Sequence, residues 1–317
     1  MTWPKVVVVG PGGVGSYFGG MLARAGASVT MLGRPGTMSP HLATINTSGL
    51  RLDAVTFDER VAVVAAANPA VVRHADLVLF CVKTPDTSSA AKAIAAHLPP
   101  RTTVLDLQNG VENPETLRRH GIDPVVAVVY VAAAVDTPGE VKHRGRGDLV
   151  LGCSHTSAPA ENNPTPRQVA AWFIQAGVPC RLSEQIDREA WLKLILNSMA
   201  NAISALTDAS YGALVSFEPS WQIAIDVARE GVEVAGAVGF DFELPSVIRQ
   251  GLEVCRTVGA ATSSTQQDIA HRRPTEIDAL NGCIARLGKT HSITTPANRM
   301  LWALVKLREQ QRGAEPT

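Results

Sequence analysis

Val6-Val7-Val8-Val9-Gly10-Pro11-Gly12-Gly13-Val14-Gly15 reads as a strand, a glycine turn and the first turn of a helix. A continuous valine run fits a strand buried on both faces, as in a parallel sheet. The glycines follow the pattern G-x-G-x-x-G, and a helical pattern continues from Gly13 to Gly26. Each glycine of the pattern has its own task. Gly10 permits the tight turn, Gly12 lets the backbone approach a pyrophosphate, and Gly15 lets helix and strand pack closely. Free N–H groups and the dipole at the helix start favour phosphate. The glycine pattern alone is weak. Set between a strand and a helix, it points to a dinucleotide cradle formed by Gly10, Pro11, Gly12, Gly13, Val14 and Gly15.

Working outward, Ser28–Leu32 predicts a second strand, which ends Met31-Leu32-Gly33-Arg34. An NAD site usually carries an acid near that point, for the ribose 2′-hydroxyl. Arg34 suits a 2′-phosphate instead, so NADPH is the expected cofactor. Further buried strands are predicted at Leu77–Val82, Thr103–Leu107 and Val125–Val131, with a helix over Thr87–Leu98. This rhythm predicts a Rossmann-type, doubly wound parallel sheet covered on both faces. Lys83 and Asn109 follow neighbouring strands, on the side where such sheets bind ligands. Alone, Lys83 also fits a solvated loop and Asn109-Gly110 an ordinary turn.

From Glu140 the texture changes. Glu140–His143 and Asp148–Leu151 read as a hairpin around Gly145 and Gly147, and Thr156–Pro166 as a surface loop. A helix over Arg167–Ala176 and a short strand over Cys180–Leu182 complete a first domain, residues 1–183. Residues 184–317 read as an all-helical second domain, with helices over Glu184–Leu206, Phe217–Val238, Leu244–Val258, Thr275–Gly288 and Pro296–Glu309. The tail from Gln310 is expected to fray.

The whole chain has 317 residues, no net charge, 45% hydrophobic and 18% charged residues. Nothing in that balance favours nucleic acid or an acidic membrane surface as partner. The five cysteines are scattered and no metal-ligand spacing is seen, which fits a reducing cytoplasm. The N-terminus lacks the pattern of a signal peptide, and no stretch is apolar for long enough to span a bilayer.

The informative segment of the second half is Trp191-Leu192-Lys193-Leu194-Ile195-Leu196-Asn197-Ser198-Met199-Ala200-Asn201. It is apolar nearly all round, which predicts a buried helix. Lys193, Asn197 and Asn201 stand at i, i+4 and i+8, on one line. Buried amides and ammonium groups need partners, so this line is expected to face a polar cleft. A lysine there suits a proton donor, since desolvation lowers its pKa. Snorkelling of Lys193 and helix-to-helix bonds from the asparagines are the structural alternative. A second polar cluster runs from Ser263 to Asp268, with Thr275-Glu276 beyond it; helix capping is the simplest use of its hydroxyls.

Taken in order, these motifs resemble the ketopantoate reductase family over nearly the whole chain. The resemblance rests on Gly10–Gly15, Arg34, Lys83, Asn109-Gly110, Glu189-Ala190-Trp191-Leu192-Lys193 with Asn197 and Asn201, Ser263-Ser264 with Gln267-Asp268, and Thr275-Glu276-Ile277-Asp278 with Asn281-Gly282. It implies NADPH-dependent reduction of a small 2-oxo acid, with 2-dehydropantoate as the leading substrate. Lys193 would be the general acid, with Glu276 beside it and the cofactor ribose. Asn197, Asn201 and Ser264 would hold substrate. Asn109 would orient nicotinamide or substrate, and the Ala133 backbone would touch the nicotinamide side. The resemblance leaves room for a homodimer. Ala261 and Tyr211 stand where members carry asparagine, which keeps a related 2-oxo acid open. A non-catalytic NADP(H) sensor would need neither Lys193 nor Glu276.

Overall fold

The computed structural model describes residues 2–153 and 164–313. The chain forms two compact units, residues 1–187 and 188–317. Most of the loop expected over Thr156–Pro166 lies outside the described residues.

In the first unit, β1 (Lys5–Val9) leads through the glycine turn into α1 (Gly13–Arg24) and back through β2 (Ser28–Leu32), which lies parallel to β1. The four valines divide between two cores. Val6 and Val8 pack with Tyr17, Phe18 and Leu22 of α1, while Val7 and Val9 pack with Val72, Ala91 and Ile94. Alternate side chains of a strand point to opposite faces, so an uninterrupted apolar run is what a doubly covered strand requires.

Next come α2 (Pro40–Ser48), β3 (Leu50–Ala54), β4 (Asp58–Val61) and β5 (Val64–Ala66). None of these was expected. β4 (Asp-Glu-Arg-Val) lacks an apolar run because it ends the sheet, and its acids are paired: Asp58 with Arg51, Glu59 with Arg24. Charged side chains on an edge strand discourage further pairing. The unit continues through β6 (Leu77–Phe80), α3 (Thr87–Ala95), β7 (Thr103–Asp106), α4 (Asn113–Arg118), β8 (Val125–Ala134), β9 (Glu140–Gly152), α5 (Pro166–Gln175) and β10 (Cys180–Leu182).

The sheet has ten strands in the order β4-β3-β9-β8-β7-β6-β1-β2-β5, with β10 beside β9. From β8 to β5 all neighbours are parallel; β8–β9 and β3–β4 are antiparallel, so the sheet is mixed rather than purely parallel. The expected hairpin inside 140–151 is corrected too. Those residues form one strand, and the chain reverses before it, between β8 and β9. The glycines that suggested a turn lie in a bulge: Val131 pairs with Gly147 but Ala133 with His143, and Gly145 has φ +141. A bulge and a turn both call for glycine, and sequence alone does not separate them.

The second unit is built on α6 (Ile186–Thr207), which begins at the end of the first, followed by α7 (Tyr211–Ser216), α8 (Glu218–Ala237), α9 (Leu244–Thr257), α10 (Ser264–Ala270), α11 (Asn281–Thr290) and α12 (Pro296–Gly313). The helix expected from Thr275 begins only at Asn281. Thr275 Oγ1 accepts the Ile277 N–H and starts a separate 3-10 turn, Ile277–Ala279. The last helix, expected to end at Glu309, runs on to Gly313, and the rest of the tail expected to fray lies outside the described residues. Near that end Arg308 donates to the carbonyls of Ala205 and Leu206, which finish α6. At its start, the buried Glu230 carboxylate accepts the N–H groups of Ala297 and Asn298. Each contact satisfies orphan groups at a helix end.

Candidate active site

The glycine loop discriminates among its own glycines. Gly10 has φ +87, and a Cβ there would sit 2.8 Å from Val82. At Gly13 a Cβ would lie 2.2 Å from the Ala133 carbonyl oxygen, and at Gly15 2.6 Å from that of Gly10. At Gly12 nothing lies within 4 Å. Three glycines therefore close the loop onto the sheet, and the fourth opens outward. No side chain caps α1 and no acid stands in its first turn. A bare helix start beside an open glycine is a cradle that fits a dinucleotide pyrophosphate. The structure also brings Ala133 to this loop, by its carbonyl against Gly13.

Lys83 and Asn109 stand beyond β6 and β7, and a polar network joins their segments. Gln108 Nε2 donates to the Val82 carbonyl and to Thr87 Oγ1, both at 2.7 Å. Asn113 Nδ2 donates to the Asn109 carbonyl at 2.8 Å and to Thr84 Oγ1 at 3.2 Å. Sequence reading missed Gln108 and Asn113, which show no periodic pattern. Arg34, at the end of β2, has an 80% exposed side chain and pairs with Asp86 at 3.2 Å.

Sequence reading also missed His41, on α2. Its Nδ1 accepts the Gly139 N–H at 2.9 Å, so the ring proton resides on Nε2, 3.2 Å from Ser16 Oγ. Ser16 Oγ in turn donates to the Pro11 carbonyl at 3.1 Å. Burial lowers the His41 pKa, keeping the ring neutral and this chain of bonds intact.

In the second unit, α6 buries Trp191, Leu194, Ile195 and Met199, as its composition predicted. Lys193 and Asn197 are half-buried on its polar line, and Asn201 is only 4% exposed. Asn201 Oδ1 accepts from the Tyr211 hydroxyl at 3.0 Å. Its backbone carbonyl accepts from Ser263 Oγ, also at 3.0 Å. Ser263 is the cap of α10, accepting the Gln266 N–H, whereas Ser264 is exposed at the first helical position. Glu276 is half-buried and precedes the 3-10 turn. Among the described residues no cluster of His, Cys, Asp or Glu could hold a metal, the five cysteines are free, and no helix is long and apolar enough to cross a membrane.

An α/β unit with an open glycine cradle, joined to a helical unit bearing a lysine–asparagine line, is the plan of a two-domain nicotinamide-dependent oxidoreductase. Residues 6–155 match the family model described as "Ketopantoate reductase PanE/ApbA", and residues 185–309 match that of its C-terminal part. The chain belongs to the ketopantoate reductase PanE/ApbA family. A "2-dehydropantoate 2-reductase" of Halobacterium salinarum is 36% identical over 311 residues, covering 96% of this chain and 99% of that protein. A crystal structure of a PanE/ApbA family ketopantoate reductase from Ralstonia eutropha JMP134 is 43% identical, with a TM-score of 0.87 over 98% of this chain and 99% of that one. A ternary structure of D-mandelate dehydrogenase with NADH and anilino(oxo)acetate reaches a TM-score of 0.89 at 23% identity, over 98% of this chain and 100% of that one. That last likeness shows the fold alone.

Proposed function

We propose that this chain reduces 2-dehydropantoate to pantoate with NADPH. The observation that carries the reading is the polar line Lys193–Asn197–Asn201 on an otherwise buried helix, in a chain of this family. When bound, reduced nicotinamide supplies hydride to the ketone carbon of the substrate. Gly10, Pro11, Gly12, Gly13, Val14 and Gly15 hold the dinucleotide phosphates, and the bare start of α1 adds its dipole. Arg34 holds the 2′-phosphate and makes NADPH the preferred cofactor. Lys83 adds positive charge on the cofactor side, Asn109 orients the reacting groups, and the Ala133 backbone borders the nicotinamide.

Lys193 protonates the alkoxide that develops on the substrate oxygen, and its charge stabilises that oxygen beforehand. Glu276 sets the position of Lys193 and meets the cofactor ribose. Asn197, Asn201 and Ser264 bind the substrate's carboxylate and side chain. A homodimer is part of the reading. Met300, Leu304 and Leu307 form an exposed apolar stripe on α12, and light scattering reads the mass. The function is tested by NADPH oxidation over a panel of 2-oxo acids. Turnover of 2-dehydropantoate is expected. Strong turnover of another acid with none of 2-dehydropantoate would reassign the substrate, and no turnover of any acid would leave a binding protein.

A further inference from the structure

The Pro11 carbonyl lies in the glycine turn, and two side chains outside the glycine pattern govern where it points. The direction of each bond that reaches it is forced. The Gly139 N–H can only donate, so His41 Nδ1 accepts it and the neutral ring carries its proton on Nε2. That Nε2–H donates to Ser16 Oγ at 3.2 Å, which leaves the hydroxyl proton for the Pro11 carbonyl at 3.1 Å. The far end is stiff. Gly139 has φ +74, and its carbonyl accepts the Arg51 N–H of β3 at 2.9 Å. A Cβ at Gly139 would run into the Thr44 side chain, about one turn beyond His41 on α2. Ser16 itself is fully buried. The turn is therefore anchored through α2 to the sheet, and not by its glycines alone.

The polar groups of the turn divide into two sets. The Gly12 N–H donates to the Gly10 carbonyl and the Ser16 N–H to the Gly12 carbonyl, both at 2.8 Å, and the Pro11 carbonyl takes the Ser16 hydroxyl. These groups are used up inside the protein. The N–H groups of Gly13, Val14 and Gly15, at the first three positions of α1, have no partner within the helix and suit an anion. A carbonyl oxygen repels an anion. Held by the buried Ser16, the Pro11 oxygen is kept from turning toward the phosphates. The Pro11–Gly12 peptide is one plane, so freeing that oxygen would also loosen the Gly12 N–H that closes the turn.

We propose that Ser16 and His41 are positioning residues of the dinucleotide site, which hold the Pro11 carbonyl away from the cofactor pyrophosphate and so help to set the affinity for that part of the cofactor. This rests on the cofactor reading above. Ser16→Ala suits the helix and removes the hydroxyl. Its Kd for NADPH and for NADH, followed by fluorescence, should each rise about fivefold, the worth of one neutral hydrogen bond. Adenosine 2′-monophosphate has the 2′-phosphate but no pyrophosphate, and should displace the dinucleotide from wild type and variant with the same dissociation constant. His41→Leu frees the hydroxyl to rotate and should weaken both dinucleotides; added to Ser16→Ala it should cost nothing further, because the two act in series. His41→Gln, whose amide N–H reaches about as far as the Nε2–H, should recover most of the affinity. An unchanged NADPH Kd in Ser16→Ala overturns the proposal. Equal weakening of all three ligands, the mark of a merely structural bond, overturns it too, as do additive losses in the double variant. If the wild type binds neither NADPH nor NADH, the cofactor reading itself fails and the proposal falls with it; failure in the variants alone leaves that reading standing.

Discussion

In the first unit the candidate cradle is made of backbone: glycines pressed against the carbonyls of Gly10 and Ala133, and N–H groups at the start of α1. In the second unit the candidate site is made of side chains: Lys193, Asn197 and Asn201 along α6, with the Tyr211 hydroxyl of α7 bonded to Asn201 Oδ1. A backbone site is contiguous in sequence and indifferent to most side chains, provided none intrudes. A side-chain site is assembled from distant positions, and one substitution changes what it prefers. The same chain thus carries a part that fixes the cofactor class and a part that can retune the substrate.

The largest expected effect tests the second region. Lys193→Ala should lower kcat by ~10²–10⁴-fold, the usual loss with a general acid, while NADPH binding followed by fluorescence stays nearly intact. A kcat close to wild type would make the polar line structural.

The glycines test the first. Gly13→Ala forces a methyl group onto the Ala133 carbonyl, backbone against backbone, and should cost about 2–3 kcal/mol of stability. Gly12→Ala meets nothing in the protein, so its melting temperature should hold while NADPH affinity falls. Equal melting temperatures for the two variants would show that the loop relaxes easily and is not rigid backbone.

Cofactor choice comes next. Arg34→Asp should weaken NADPH by at least tenfold, as expected for loss of a charge-assisted contact, and leave NADH nearly unaffected. Asp86→Asn releases Arg34 from its pair and should tighten NADPH by two- to threefold. Equal wild-type use of the two cofactors would sink this assignment.

The smallest effect belongs to His41. Its folded-state pKa is depressed, so the unfolded chain takes the proton first as pH falls. Its contribution is complete above the usual value of 6.5 and is lost as pH drops below it. Thermal melts from pH 7.5 to 5 should show His41→Asn losing less stability than wild type as the pH falls. Parallel curves would exclude His41 as the group responsible.

What the sequence disclosed follows the same division. β1, the glycine turn and α1 are adjacent in the chain, and a buried strand needs the unbroken valines that make it visible. The line on α6 was visible because polar residues on an apolar helix stand out. The strands from Leu50 to Ala66 escaped notice for separate reasons: β4 is a charged edge strand that resembles a loop, β3 is short and mixes Arg51 and Asp53 with its apolar residues, and β5 runs only from Val64 to Ala66. The His41–Ser16–Pro11 chain and the Tyr211–Asn201 bond join residues that no local pattern relates. Ser263 rather than Ser264 caps α10, a choice set by the turn before it and not by residue type.

The contact between Gly13 and the Ala133 carbonyl constrains the number of residues in β8 more than their identity. Carbonyls alternate sides along a strand as side chains do. Exchanging one small residue for another at positions 131–134 leaves the carbonyl where it is. Inserting or deleting a single residue before Ala133 would turn that carbonyl away from the glycine loop and slip the pairing with β9 by one. A library that varies this segment should therefore hold its length fixed, even where every side chain is randomised.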